Sequence, residues 1–120
     1  ELDLSDFHVI KFNPREFVPA PGQGVVAIQC RAEDLPVRRM LKKLHQSPVG
    51  RCSNVERGVL KMMDGGCQLP LGVHCQHDIN NYYHVYAAYS SSWDNPLKFA
   101  QVSSSTTDGL AQQVYDQLHT

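Results

Sequence analysis

The sequence predicts an α+β fold: a three-stranded antiparallel sheet with helices packed on one face, preceded by strands left over from an upstream α/β domain. Two observations lead to this prediction. Apolar residues recur at helical spacing before residue 64 and again after residue 109, and three short strand-like stretches separated by turn residues lie between them. Helices grouped beside a short antiparallel meander are typical of the α+β class.

The composition is that of one ordinary globular domain. Of the 120 residues, 42% are hydrophobic and 19% are charged, and the net charge is −1. So small a net charge gives no basic field over the whole chain, and we predict no nucleic acid and no membrane as partners. The longest apolar run, residues 25–28, is far shorter than the roughly 20 residues that a membrane helix needs.

Charge is nevertheless uneven along the chain. Eight basic and three acidic residues lie between positions 31 and 61, which gives that stretch a charge of +5. Solvated faces of two helices explain such a stretch, because helix surfaces commonly carry charged side chains. The alternative is a groove for an anionic ligand.

The four cysteines are spaced unlike the disulfide framework of a secreted protein. They stand at positions 30, 52, 67 and 75, in a chain with enough apolar residues to fold without covalent cross-links. We therefore expect reduced thiols and a cytoplasmic protein.

Two strands are predicted in the first thirty residues. Residues 7–12 alternate weakly between apolar and polar, and residues 25–30 form a nearly continuous apolar run that is typical of a strand buried on both faces. Prolines and glycines interrupt regular structure between them. Because this short segment cannot cover both faces of a strand, we expect it to belong to another structural unit.

Two helices are predicted next. Over residues 34–44 apolar side chains recur at helical spacing, Asp34 is a suitable N-cap, and Pro48 follows the end of the helix. The second helix is expected to begin at Ser53, whose hydroxyl forms a capping box with Glu56, and to end at the glycines that follow residue 64.

An antiparallel meander and a closing helix complete the chain. The strands are predicted at residues 71–78, 82–91 and 97–103, and a capping box at residues 105–108 is expected to start the last helix. We predict one core shared by this sheet and the helices on either side of it in sequence, made by Val55, Val59, Leu60, Val85, Val102, Leu110, Val114 and Leu118.

Cys67 is the strongest candidate for chemistry. It follows two glycines directly after a helical stretch and precedes Pro70, so the loop can present its thiol without obstruction from neighbouring side chains. A cysteine in this position can be a nucleophile or an attachment point. The alternative is a small hydrophobic residue that packs in the loop and does nothing else.

Other site types find less support. The sequence His74-Cys75-Gln76-His77, with Cys67 as a further ligand, suggests a metal site, but a strand places His74 and His77 on opposite faces and no Cys-x-x-Cys pair supports them. Gly22-Gln23-Gly24 lacks the rest of a phosphate-binding fingerprint. We predict no metal ligand, and no Ser/His/Asp order stands out.

Two motifs, taken in order and at their spacing, are more specific. Residues 21–31 read Pro-Gly-Gln-Gly-Val-Val-Ala-Ile-Gln-Cys-Arg, and Glu56-Arg57 is followed by Asp-Gly-Gly-Cys-Gln-Leu-Pro-Leu-Gly at residues 64–72. Together they resemble the C-terminal part of porphobilinogen deaminase, also called hydroxymethylbilane synthase. The resemblance covers nearly the whole chain and is strongest over residues 19–75.

The resemblance implies a transferase of haem biosynthesis that joins four porphobilinogen units into hydroxymethylbilane and releases ammonia at each step. It implies that Cys67 holds a dipyrromethane cofactor through a thioether, and that Gln23 faces the cleft. It also implies that residues 1–31 end the second domain and return through the hinge to the first. Residues 32–49 would then be a linker helix, and residues 50–120 the cofactor-carrying domain.

By the same resemblance, the catalytic aspartate and the substrate-binding arginines belong to an upstream part of a longer enzyme. We therefore assign no catalytic residue in this chain. We expect the chain alone to be inactive, to lack the cofactor and to present a free, accessible Cys67. Uncovered strands tend to pair, so self-association through residues 1–31 is expected. The alternative is a small cytoplasmic binding or scaffold domain with a structural Cys67.

Overall fold

Three helices and three strands follow one another in the computed structural model, which describes residues 3–64 and 68–120. Their arrangement confirms the predicted α+β class. In chain order they are α1 (Leu35–Leu44), α2 (Ser47–Met62), β1 (Leu71–His77), β2 (Tyr83–Tyr89), β3 (Lys98–Ser104) and α3 (Leu110–His119).

The strands form the predicted antiparallel meander in the order β1-β2-β3. The tight turn between β1 and β2 has Asn81 in the left-handed region, at φ 62°, which asparagine tolerates better than most residues. The Asp78 carboxylate accepts hydrogen bonds from the backbone N–H groups of Asn80 and Tyr82 and so holds this turn closed. The register of β2 therefore follows from turn chemistry close in sequence.

Helices α2 and α3 pack against one face of the sheet and enclose the core. The largest side chains that are almost completely shielded from solvent are those of Leu110, Leu118, Val59, Val73, Val85 and Val114. The predicted core is confirmed except at two positions, Leu60 and Val102, which are half-buried. Val102 still packs against the core from the edge strand β3, whereas Leu60 lies about 100° around α2 from the buried Val59.

Helix α1 is as predicted, but α2 begins six residues before the expected start. The Asp34 side chain caps α1 by accepting a hydrogen bond from the Val37 N–H at 3.2 Å. Pro48, predicted to follow the end of one helix, lies instead in the first turn of the next. Proline suits that position because its ring fixes a helical φ and the first-turn N–H groups have no helical acceptor. The capping box predicted at Ser53 is therefore wrong, since Ser53 is inside α2.

The capping box predicted for α3 is also wrong. The N-cap is Gly109, with a left-handed φ of 67° and no side-chain hydrogen bond to the helix. The Thr106 hydroxyl accepts instead from the Asp108 N–H at 3.2 Å, within the preceding turn. Local side-chain bonding of this kind competes with helix capping.

The strands predicted at residues 7–12 and 25–30 are not among the strands of the described residues. A strand needs a neighbour with which to exchange backbone hydrogen bonds, and none of the described segments pairs with these two stretches. Their apolar side chains are consequently exposed, including Phe7, Ile10, Phe12 and Val26.

The middle of the N-terminal segment is nevertheless attached to the sheet. The Val73 N–H, on the free edge of β1, donates to the Pro19 carbonyl at 2.9 Å. Gly72 allows this approach, because a Cβ there would lie 2.5 Å from the Val18 carbonyl oxygen. The contact positions residues 18–22 beside the sheet.

Among residues 3–64 and 68–120, no helix has both the length and the apolar character needed to cross a membrane.

Candidate functional site

Cys67, the predicted attachment residue, lies outside the described residues, as do Gly65 and Gly66. The chain on either side of them is described. Helix α2 ends at Met62, Asp64 follows with a left-handed φ of 49°, and β1 begins at Leu71. The cysteine therefore belongs to the connection between the long helix and the first strand of the sheet.

A buried charged residue, Glu56, lies on the helix that precedes this connection. Although it carries a carboxylate, it is only 5% exposed. One of its oxygens accepts a hydrogen bond from the Cys75 N–H at 2.8 Å, and the other accepts from the Gly22 N–H at 2.6 Å. Two backbone donors compensate for burying the charge. Glu56 thus joins three segments: α2, the edge of β1 and the turn around Gly22.

Sequence reasoning placed Glu56 in a capping box and missed this role. Its two partners lie 19 and 34 positions away along the chain. No local pattern indicates contacts across such distances. The Glu56-Arg57 pair in the second motif was the only signal in the sequence that this residue had a particular role.

His74 adds a polar contact to the same region. Its Nδ1 lies 3.7 Å from a Glu56 carboxylate oxygen, and the ring is half-buried. A protonated His74 would therefore carry its charge beside the buried carboxylate. This places His74 with Glu56 at the free edge of β1.

Two of the cysteines are buried close to Glu56. Burial raises the pKa of the Cys52 thiol, and the nearby Glu56 charge raises it further. Burial likewise raises the pKa of Cys75, with further contributions from Cys52 and Glu56. Because the thiolate is the reactive form, both residues are poor nucleophiles at neutral pH.

Gln23, the second predicted cofactor residue, lies on an exposed turn. Its N–H donates to the Ala20 carbonyl at 3.1 Å, and glycines with left-handed φ values of 71° and 78° stand on either side of it. Glu56 holds the base of this turn through Gly22. The structure therefore presents Gln23 to solvent from an anchored backbone.

The histidines considered as metal ligands have separate surroundings. His74 lies beside Glu56, whereas the His77 ring packs against the ring of Tyr83 with centroids 4.7 Å apart. Within the described ranges, no group of three or more His, Cys, Asp or Glu residues is arranged to hold a metal ion.

A cavity of about 840 Å³ separates residues 24–30 from helices α1 and α2. Val25 and Ile28 contribute apolar side chains to its lining, and Arg38 and Lys42 contribute basic ones. Part of the +5 stretch therefore borders a cavity. Basic side chains at the border of a cavity are what the anion-binding alternative requires.

Comparison with known proteins points to one family. A family model described as "Porphobilinogen deaminase, C-terminal domain" matches residues 50–92. The chain is 29% identical to porphobilinogen deaminase of Limosilactobacillus reuteri (strain DSM 20016) over 98% of its own length and 38% of the relative. It is 35% identical to the Staphylococcus carnosus (strain TM300) protein of the same name, over 76% of this chain and 29% of the relative.

A third relative with that name, from Chloroherpeton thalassium, is 36% identical over 72% of this chain and 26% of its own length. The chain spans less than two fifths of the length of each of these relatives. The stretch matched by the family model begins within α2 and extends past β2, so it includes the connection that contains Cys67.

Proposed function

Because the chain belongs to the porphobilinogen deaminase family and carries its C-terminal domain, we propose that it is the C-terminal part of a transferase in porphyrin and haem biosynthesis. In the proposed reaction, four porphobilinogen units are condensed into hydroxymethylbilane with loss of ammonia at each step. The observation that carries the proposal is the family match across α2, the Cys67 connection and the first two strands.

Cys67 is the proposed attachment residue for the dipyrromethane cofactor. Loss of ammonia from an aminomethylpyrrole leaves an electrophilic methylene carbon, and a thiolate is a strong, soft nucleophile for such a carbon. The carbon–nitrogen bond breaks first, and ammonia departs with its electron pair and a proton; the thiolate sulfur then bonds to the methylene carbon. The burial of Cys52 and Cys75 supports this choice, because it leaves those two thiols protonated and shielded.

Gln23 is proposed to face the cofactor cleft of the longer enzyme. Its exposed position on an anchored turn supports the proposal, since an anchored backbone limits where the side chain can reach. Residues 1–31 are proposed to belong to the hinge and the preceding domain, residues 32–49 to a linker helix, and residues 50–120 to the cofactor-carrying domain. Porphobilinogen is the proposed substrate of the whole enzyme, and the cytoplasm its proposed location.

The purified chain by itself is proposed to make no hydroxymethylbilane and to carry no dipyrromethane. Positioning of the substrate and proton transfer at the leaving amine supply much of the barrier reduction in such a reaction, and the resemblance assigns both tasks to upstream residues. Incubation with porphobilinogen tests this. Hydroxymethylbilane formation above that of a Cys67→Ser control would contradict it.

The family function is tested by replacing the aligned region of Limosilactobacillus reuteri porphobilinogen deaminase with this chain. We expect a mass increase of two linked pyrroles on Cys67 and formation of hydroxymethylbilane, both absent in the Cys67→Ser chimera. A chimera that is folded by circular dichroism but carries no pyrrole would contradict the proposal and favour the scaffold alternative with a structural Cys67.

Self-association through residues 1–31 is proposed for the isolated chain. Phe7, Ile10 and Phe12 are each about 70% exposed, which is unusual for neighbouring large apolar side chains. Sedimentation equilibrium should therefore give a mass above 13.5 kDa. Deletion of residues 1–13 should restore the monomer, and a monomeric full chain at high concentration would contradict the proposal.

A further inference from the structure

A serine, a histidine and an aspartate form a hydrogen-bonded row on the sheet face opposite to α2 and α3. His84 on β2 is directly paired with Ser103 on β3, and Asp78 follows the end of β1. His84 Nδ1 lies 2.7 Å from the Ser103 hydroxyl oxygen, and His84 Nε2 lies 2.7 Å from an Asp78 carboxylate oxygen. The row is formed by strand register, which explains why no sequence motif indicates it.

The surroundings of Asp78 keep it in place and ionised. One carboxylate oxygen accepts from the N–H groups of Asn80 and Tyr82, at 2.8 and 2.9 Å, which leaves the other oxygen for His84. The hydrogen bond with His84 lowers the pKa of Asp78 below its usual value. The carboxylate is therefore an acceptor at neutral pH.

The ionised carboxylate selects the tautomer of His84. An ionised carboxylate can only accept, so in neutral His84 the proton lies on Nε2 and the lone pair lies on Nδ1. Nδ1 must then accept the hydrogen bond from the Ser103 hydroxyl. This is the direction needed to remove a proton from a nucleophilic serine.

Ser103 is also open to a reactant. It is exposed, and β3 is an edge strand of the sheet, so no further strand covers it among the described residues. His84 is less exposed than Ser103, with 28% of its side chain accessible, which restricts its motion without isolating it from water. Ser103, which carries the reactive oxygen, is therefore the most exposed residue of the three.

We propose that Ser103 is a nucleophilic serine that takes an acyl group from small activated carboxylic esters, with His84 as general base and Asp78 as a positioning residue. The Ser103 oxygen bonds to the ester carbonyl carbon while Nδ1 of His84 takes the hydroxyl proton. The carbon–oxygen bond of the ester then breaks, and the proton passes to the departing alcohol. Water hydrolyses the acyl-serine with His84 again acting as base.

This activity is independent of the proposed family function. It uses neither Cys67 nor Gln23, and its three residues lie on β2, β3 and the turn after β1 rather than at the free edge of β1 where Glu56 lies. It can therefore be measured on the purified 120-residue chain. Failure of either proposal would leave the other intact.

The test uses p-nitrophenyl acetate with the purified chain, and follows nitrophenolate release together with the site of acetylation by peptide mapping. We expect the acetyl group on Ser103. General-base assistance contributes about 10²- to 10⁴-fold, so His84→Gln should slow release by at least about tenfold. Ser103→Ala should abolish the labelled peptide, and Ser105→Ala, at a nearby exposed serine, should change nothing.

Asp78 has a separate readout as a positioning residue. Asp78→Asn should slow release while the acetyl group still appears on Ser103, because the base remains but its orientation and tautomer are no longer imposed. Circular dichroism checks that each variant is folded, and mapping of the unaltered chain with a fluorophosphonate reagent needs no variant. Acetylation or phosphonylation without preference for Ser103, or an unchanged rate in folded His84→Gln, would overturn the proposal.

Discussion

At the scale of single residues, Glu56 makes the most consequential contacts in the described structure. A buried carboxylate is costly unless its oxygens are hydrogen-bonded, and here each oxygen has a backbone N–H donor. The two donors, of Gly22 and Cys75, depend on Glu56 in turn, because an unpaired buried N–H also costs free energy. The residue therefore stabilises the junction of three segments.

Replacing Glu56 by glutamine tests this junction. The amide keeps one acceptor oxygen but turns an NH₂ group toward the second backbone donor. Leaving that donor unpaired should lower the free energy of unfolding by about 1–3 kcal/mol. Urea unfolding gives the value, and Glu33→Gln, at an exposed position, is the matched control. Equal midpoints for the two variants would show that the Glu56 hydrogen bonds contribute little.

A second prediction concerns Asp78 and pH. Its pKa is lowered in the folded protein, chiefly by the hydrogen bond with His84. The ionised Asp78 carboxylate therefore stabilises the folded protein fully above the unfolded pKa of about 3.9. This stabilisation is lost as the pH falls through the pKa of Asp78 in the folded protein.

Asp78→Asn should consequently lower the melting temperature at pH 5 and lower it progressively less as the pH falls toward 2.5. Differential scanning calorimetry across this pH range measures the difference in melting temperature between the variant and the unaltered protein. Asp94→Asn, in the exposed turn between β2 and β3, provides the comparison. A melting-temperature difference for Asp78→Asn that grows as the pH falls would contradict the lowered pKa of Asp78.

At the scale of elements, α3 shows how a helix can begin without a side-chain cap. Gly109 adopts a left-handed φ of 67° directly before Leu110, and a Cβ at that position would meet no other atom within 4 Å. Steric contact with the rest of the protein therefore imposes no penalty on a side chain there. The penalty comes from the backbone conformation alone.

Gly109→Ala should lower the free energy of unfolding by about 1–2 kcal/mol, the cost of a left-handed conformation for an ordinary residue. Gly109→Asn should lower the free energy of unfolding by less, because asparagine tolerates the left-handed conformation and can hydrogen-bond to its own backbone. Chemical denaturation of the two variants in parallel measures the difference. Equal losses would indicate that a factor other than φ determines the start of α3.

At the scale of the whole molecule, the described part of the N-terminal segment is hydrogen-bonded to the sheet and to α2 near its middle, through residues 19 and 22. Residues 18–22 contact β1 and Glu56, whereas the flanking stretches at 7–12 and 25–29 are exposed and lie outside the sheet. Residues 35–62, in contrast, are almost entirely in helices α1 and α2. Helix α1 buries no residue, so the packed α+β unit consists of α2, the sheet and α3, and the N-terminal segment is held beside it through residues 19 and 22.

Limited digestion with trypsin should reveal this division. Exposed backbone outside regular structure is cut most readily, so cleavage after Lys11 and Arg31 should precede cleavage after Arg51 and Arg57 in α2. A persistent product beginning at residue 32 would support the proposed boundary at residue 31. Early cleavage within α2 would place the boundary elsewhere.

The sequence by itself determined the elements whose signals are local. Apolar spacing and the Asp34 cap were sufficient for α1, and alternation with an asparagine turn was sufficient for the meander, because each feature depends on residues a few positions apart. The core faces of α2 and α3 followed from the same periodicity. The two motifs that surround Gln23 and Cys67 likewise stand in the sequence itself, which is why the family could be recognised.

Tertiary structure alone decided the features that depend on distant partners. Pro48 can follow one helix or start the next, and packing determines which. Glu56 meets its donors, and His84 meets Ser103, only when separate segments pack together. Residues 25–30 have the composition of a buried strand, yet without a neighbouring strand among the described residues they form no ladder, because backbone hydrogen bonding in a sheet requires a second chain segment.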